Sequence, residues 1–108
     1  MKKSDKPRIL RVVRMTFVPC EVEKFKWHFS RLKSEIMAMP GCRSVHLCVD
    51  KDAPHRLTTF SIWDSEMDLN NYRKSEWFGH IWPQTKAKFE RPAEATTYFW
   101  DSALTFPT

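Results

Sequence analysis

Residues 22–36 read VEKFKWHFSRLKSEI, and the spacing of the large apolar residues in this stretch decides the fold. Val22, Phe25, Phe29, Leu32 and Ile36 follow one another at steps of three and four, which places them on one face of a helix of about five turns. Pro19 suits the start of that helix, because a missing N–H costs nothing in a first turn. Met39-Pro40-Gly41 ends it, since proline cannot continue a helix and glycine suits the left-handed turn beyond.

Working outward, Ile9 to Val18 predicts a first strand, with Ile9, Arg11, Val13, Met15 and Phe17 on one face and Leu10, Val12, Arg14 and Thr16 on the other. After the helix, Val45, Leu47 and Val49 alternate with Ser44, His46 and Cys48 as a second strand. The polar run Asp50 to His55 makes a hairpin loop into a third strand at Leu57 to Trp63. Ser65 with Asp68 forms a capping-box pattern that opens a second helical region. Leu69 and Tyr72 face one way there, and a stripe at Phe78, Trp82, Thr85 and Phe89 follows, with a break expected near Ser75 or Pro83. Arg91-Pro92 is expected to close the region, and Ala95 to Trp100 to form strand four.

The predicted order is therefore β-α-β-β-α-β, an α+β fold of the ferredoxin-like kind, with a four-stranded antiparallel sheet and the helices on one face. The domain is expected over residues 8–100, between a flexible basic arm at 1–7 and a tail at 101–108. Strand one is apolar on both sides, and 108 residues offer no third layer for the other sheet face. Pairing of two sheets in a homodimer is the economical cover.

Composition narrows the function classes. With 42% hydrophobic and 29% charged residues the chain has globular proportions, and an aromatic content of 14% points to a core of rings or a pocket lined by them. The net charge is +5. Residues 1–14 carry six basic side chains against Asp5 alone, so they account for the whole surplus and the remainder is neutral. No basic stripe exists to track phosphates and no nucleic-acid motif accompanies the arm, which argues against nucleic acid as a partner. Cys20, Cys42 and Cys48 show no C-x-x-C spacing and are expected as buried reduced thiols, with no metal site. No apolar run long enough for a signal peptide or a membrane span follows Met1, so no membrane partner is expected and a cytoplasmic setting is the default.

Several stretches carry a resemblance. Arg11-Val12-Val13-Arg14-Met15-Thr16-Phe17, Pro40-Gly41-Cys42, Trp63-Asp64-Ser65-Glu66, Tyr72-Arg73-Lys74-Ser75-Glu76-Trp77-Phe78, Trp82, Thr85-Lys86 and Phe89 occur in the order in which the antibiotic biosynthesis monooxygenase (ABM) domain family carries similar residues. The chain resembles that family over roughly residues 8–100, and the resemblance implies its dimeric α+β barrel. The family's heme-degrading members place an Asn, a Trp and an axial His where this sequence has Val13, Tyr72 and Trp82. A valine cannot donate to bound oxygen and an indole cannot ligate iron, so heme degradation is disfavoured. His80 precedes the lost ligand position by two residues, about 200° round a helix, and does not replace it.

What the resemblance implies instead is cofactor-independent oxidation of an electron-rich aromatic or quinol, whose deprotonated form passes an electron to O2. Such a reaction needs bound flat rings, a proton acceptor or oxyanion partner, and exclusion of water. The expected pocket lies between sheet and second helical region, lined by Val13, Met15, Trp63, Tyr72, Phe78 and Trp82, with Arg11 stabilising a phenolate. Tyr72 or His80 would handle the proton: His80 on chemical grounds, Tyr72 because it matches a family pocket position. The plainer reading makes Phe78, Trp82 and Phe89 core, His28, His46 and His55 surface or satisfied histidines, and the protein a non-catalytic small-molecule-binding or stress-associated barrel.

Overall fold

A computed structural model describes residues 7–100. Strand β1 (Arg8–Phe17) leads through a 3-10 turn at Pro19–Glu21 into helix α1 (Val22–Met37). The hairpin β2 (Cys42–Val49) and β3 (Arg56–Trp63) follows, then α2 (Glu66–Arg73), α3 (Glu76–Lys86) and β4 (Phe89–Trp100). The sheet is antiparallel in the order β2-β3-β1-β4, the arrangement expected of a ferredoxin-like α+β fold. Except for Pro7, the arm and the tail expected from the sequence lie outside the described residues.

The helical stripe that decides the fold is buried along its whole length, every member from Val22 to Ile36 being at most 9% exposed. It packs on Ile9, Met15 and Phe17 of β1, Val45 of β2 and Leu57 and Trp63 of β3, all on one sheet face. Each such side chain removed from water contributes about 1.5–3 kcal/mol before conformational entropy is charged against it. The turn after α1 takes the expected form, with Gly41 at φ 81° and its carbonyl accepting from the Asp64 N–H at 2.8 Å. In the β2–β3 loop, the Asp50 carboxylate accepts from the N–H groups of Asp52 and Ala53 at 2.8 and 3.0 Å, which closes the connection.

The second half keeps one of the two helix breaks expected from the sequence and departs from that reading at its last strand. The helical region is two helices, broken at Ser75, whose Oγ accepts from the Phe78 N–H at 3.1 Å and caps α3. Pro83 lies inside α3 on its exposed side. Strand β4 begins at Phe89 instead of Ala95, and Arg91-Pro92 lies within it. Proline is tolerated there because β4 is an edge strand, and its register against β1 is irregular between the Arg14–Glu94 and Thr16–Arg91 pairs. Phe89 accordingly belongs to a strand and not to the helical stripe. The cysteines also differ from expectation: all are free, but Cys20 and Cys48 are exposed and Cys42 is half-buried.

Opposite the helices, Leu10, Val12, Phe60, Ile62, Tyr98 and Trp100 share the other sheet face by register. No helix among the described residues is long and apolar enough to cross a membrane.

Candidate functional site

Between the sheet and the helices lies a cavity of about 590 Å³. Its floor follows from strand register. Val13 of β1 stands between Thr59 of β3 and Ala95 of β4, and the neighbouring row is Ser61, Arg11 and Thr97. Apart from Arg11 these side chains are small, so the sheet leaves volume that the rings above it do not fill. The roof comes from Tyr72 of α2 and Trp77, Phe78, Ile81 and Trp82 of α3, with Phe25, Phe29, Leu32 and Ile36 of α1 behind.

The rings form a connected system. From Trp63 through Tyr72, Phe78, Trp82, Phe89, Phe17 and Phe25 to Phe29, successive centroids are 4.6–5.8 Å apart. The aromatic content thus serves as core and cavity wall at once. Across the roof, the Trp77 indole N–H donates to Glu35 Oε1 at 2.9 Å and ties α3 to α1.

Of the residues expected at the site, Arg11, Val13, Met15, Tyr72, Phe78 and Trp82 line this cavity. Trp63 does not. It is fully buried, stacked on Tyr72 at 4.8 Å with its indole N–H on Ser61 Oγ at 2.9 Å, and so backs the wall without reaching the interior. His80 is also outside the lining: it is exposed on α3, where its ring meets the Gln84 amide at 3.2 Å. Inward positions on α3 are Phe78, Ile81, Trp82 and Thr85, and His80 falls off that stripe.

Burial raises the Tyr72 hydroxyl well above the ordinary tyrosine value, with the nearby Cys42 thiol adding to the effect. The side chain therefore stays a neutral phenol at neutral pH and serves as a donor, not as a base. Burial, and secondly the charge of Arg73, pull Arg11 below the usual guanidinium value. Arg11 stays cationic and donates from Nη1 to Thr97 Oγ1 at 2.7 Å.

Sequence reasoning missed Arg73 and Lys74, which join Arg11 in the lining, and Trp77. All three stand in the stretch from Tyr72 to Phe78 already singled out, but nothing in its periodicity showed which of its residues border the cavity. Among the described residues the lining contains no Asp, Glu, His or Cys. Among the described residues no group of three or more His, Cys, Asp or Glu is arranged to hold a metal ion. Val13 cannot donate to a bound oxygen and the Trp82 indole cannot ligate iron, so these lining residues do not fit a heme.

A split β-α-β sheet domain with an aromatic, cationic cavity under its helices is the class that this geometry defines. The sequence model of the antibiotic biosynthesis monooxygenase family matches residues 8–82, and the chain belongs to that family. Among solved structures, a conserved protein from Methanosarcina mazei Go1 superposes with a TM-score of 0.82 at 22% identity, covering 90% of this chain and 96% of that one. A candidate antibiotic biosynthesis monooxygenase from Nitrosomonas europaea gives 0.80 at 12% identity, with 91% and 94% covered. Rv0793 from Mycobacterium tuberculosis gives 0.76 at 21% identity, with 84% and 92% covered. At these identities the likeness is one of fold. No curated protein matches the chain.

Proposed function

We propose that the protein is a cofactor-independent monooxygenase that oxidises an electron-rich aromatic or quinol in this cavity. The observation that carries the reading is a ring-walled cavity of about 590 Å³ holding a guanidinium and a neutral phenol, in a chain of the monooxygenase family. For an anthrone-type substrate the balance is that a ring methylene and O2 give a ring ketone and water. Both methylene hydrogens leave with one oxygen atom as that water, and the other oxygen atom becomes the carbonyl. The substrate anion gives one electron to O2, the radical and superoxide join as a peroxide anion that takes a proton back from water to become the hydroperoxide, and loss of water leaves the ketone. Among the described residues the lining holds no carboxylate, imidazole or thiol. The proton therefore leaves to water or buffer, helped by Arg11, which stabilises the anion, while the Tyr72 hydroxyl donates to the developing oxygen charge.

Oxygen uptake with a panel of anthrones and quinols tests this reading. Turnover is expected to rise with pH along the ionisation of the substrate, without a step at the histidine range. Val13→Phe, which fills the floor, is expected to lower turnover by at least tenfold with the fold intact by circular dichroism. Tyr72→Phe removes one charge-stabilising donor and is expected to cost about tenfold to hundredfold. Uptake no faster than without protein across the panel and the pH range would sink the enzymatic reading. The absence of a carboxylate or imidazole from the lining, among the described residues, favours as the second reading a binding protein without turnover, and retention of aromatic ligands with no oxygen uptake would establish it.

The apolar sheet face opposite the helices supports assembly as a homodimer by sheet pairing, with Phe60 and Val12 near its centre. Sedimentation at micromolar concentration is expected to give about twice the 12.9 kDa chain mass. Phe60→Asp, folded by circular dichroism, is expected to give the monomer mass. A monomeric parent protein would count against the pairing.

A further inference from the structure

Arg11 and Arg73 come from elements far apart in the chain, β1 and the last turn of α2, and meet at one cavity. Lys74 stands beside them, and among the described residues the lining holds no carboxylate to answer the three charges. Neither guanidinium forms an ion pair among the described residues, although Asp64 takes both Arg8 and Arg43. Arg73's charge is close enough to depress Arg11. Arg11 is half-buried and Arg73 is exposed, so the two like charges meet the cavity from its wall and its rim, and an anion between them would relieve their repulsion. The remaining walls are ring and aliphatic surface with the neutral polar side chains of Thr59, Ser61, Asn70 and Thr85 among them.

We propose that the cavity selects aromatic carboxylates: the rings lie under Phe78 and Trp82, and a permanently ionised carboxylate sits between Arg11 and Arg73. A carboxylate fits better than a phenolate because its two oxygens can take a hydrogen bond from each guanidinium, whereas a phenolate offers a single oxygen. A phenol of ordinary acidity is moreover neutral at pH 7. The inference rests on the reading of the cavity as a site for flat aromatic guests, and is independent of whether oxidation follows.

Calorimetric titration of the full chain at pH 7 and low salt with 2-naphthoate, 2-naphthamide and 2-naphthol tests it. The carboxylate is expected to bind at least about tenfold more tightly than the amide or the phenol, and the advantage is expected to shrink as salt is raised. Arg73→Gln is expected to abolish most of that ratio while leaving the amide's affinity unchanged, which a mere disturbance of α2 would not do. Arg73→Lys should restore part of it, as a point charge without the planar fork. Equal binding of naphthoate and naphthamide, or an unchanged ratio in Arg73→Gln, would overturn the inference and leave the aromatic-site reading standing. If no probe binds at millimolar concentration, both fall together.

Discussion

Trp63→Ala is expected to lower the stability of the domain by about 3–5 kcal/mol, the range for truncating a fully buried large aromatic. Trp63 is 0% exposed at the end of β3 and belongs to the main apolar cluster with Ile9, Cys42 and Leu69 around it. It also stacks on Tyr72 at 4.8 Å with an interplanar angle of 26°. Truncation removes the ring, leaves a void that the rigid strand cannot close, and takes away the surface on which Tyr72 rests. The indole's partner Ser61 lines the cavity, so water can satisfy its hydroxyl and no unpaired-group penalty is added. For a domain of this size the loss is a large part of a total of about 5–15 kcal/mol, and the melting temperature is expected to fall by roughly 15 °C. Trp63→Phe keeps a ring against Tyr72 and is expected to cost less than half as much. Urea and thermal unfolding measure both, and a change below about 1 kcal/mol for Trp63→Ala would contradict the packing described.

The same residue shows where sequence reading stops. Trp63 alternates correctly with Ser61 and Thr59, so its sheet face was legible from period two alone. Whether it reaches the cavity depends on Tyr72, which lies over it, and that contact crosses from strand to helix. The α1 stripe and the Gly41 turn were legible because each is set by spacing or by one residue's backbone freedom. The start of β4 was not, because Pro92 reads as a breaker until the sheet order places its strand at an edge. Arg73 was invisible for a further reason: periodicity assigns a residue to a face, but the meeting of Arg73 with Arg11 is a long-range consequence of α2 crossing β1.

Gly41→Ala carries the second large effect, through two separate costs. At φ 81° a Cβ is disfavoured by about 1–2 kcal/mol whatever its surroundings. Here the added carbon would also overlap Cβ, Cγ and Oδ2 of Asp68, far inside contact distance. Asp68 cannot retreat freely, since its N–H donates to Ser65 Oγ at 3.1 Å and its Oδ2 accepts from that hydroxyl at 3.0 Å, forming the cap of α2. Losing such a cap costs about 1 kcal/mol, so the substitution is expected to destabilise by roughly 2–3 kcal/mol. Because α2 carries Tyr72 and Arg73, a shifted cap should also weaken ligand binding in the cavity beyond the effect on stability. A double-mutant cycle with Asp68→Gly separates the two costs, because that change removes the three atoms nearest to the new Cβ. In the Asp68→Gly background the cost of Gly41→Ala is expected to fall toward the backbone share alone, a coupling of about 1 kcal/mol or more. Additive effects in denaturant titrations would mean that the turn and the α2 cap are not in contact, and the strain would then belong to the backbone only.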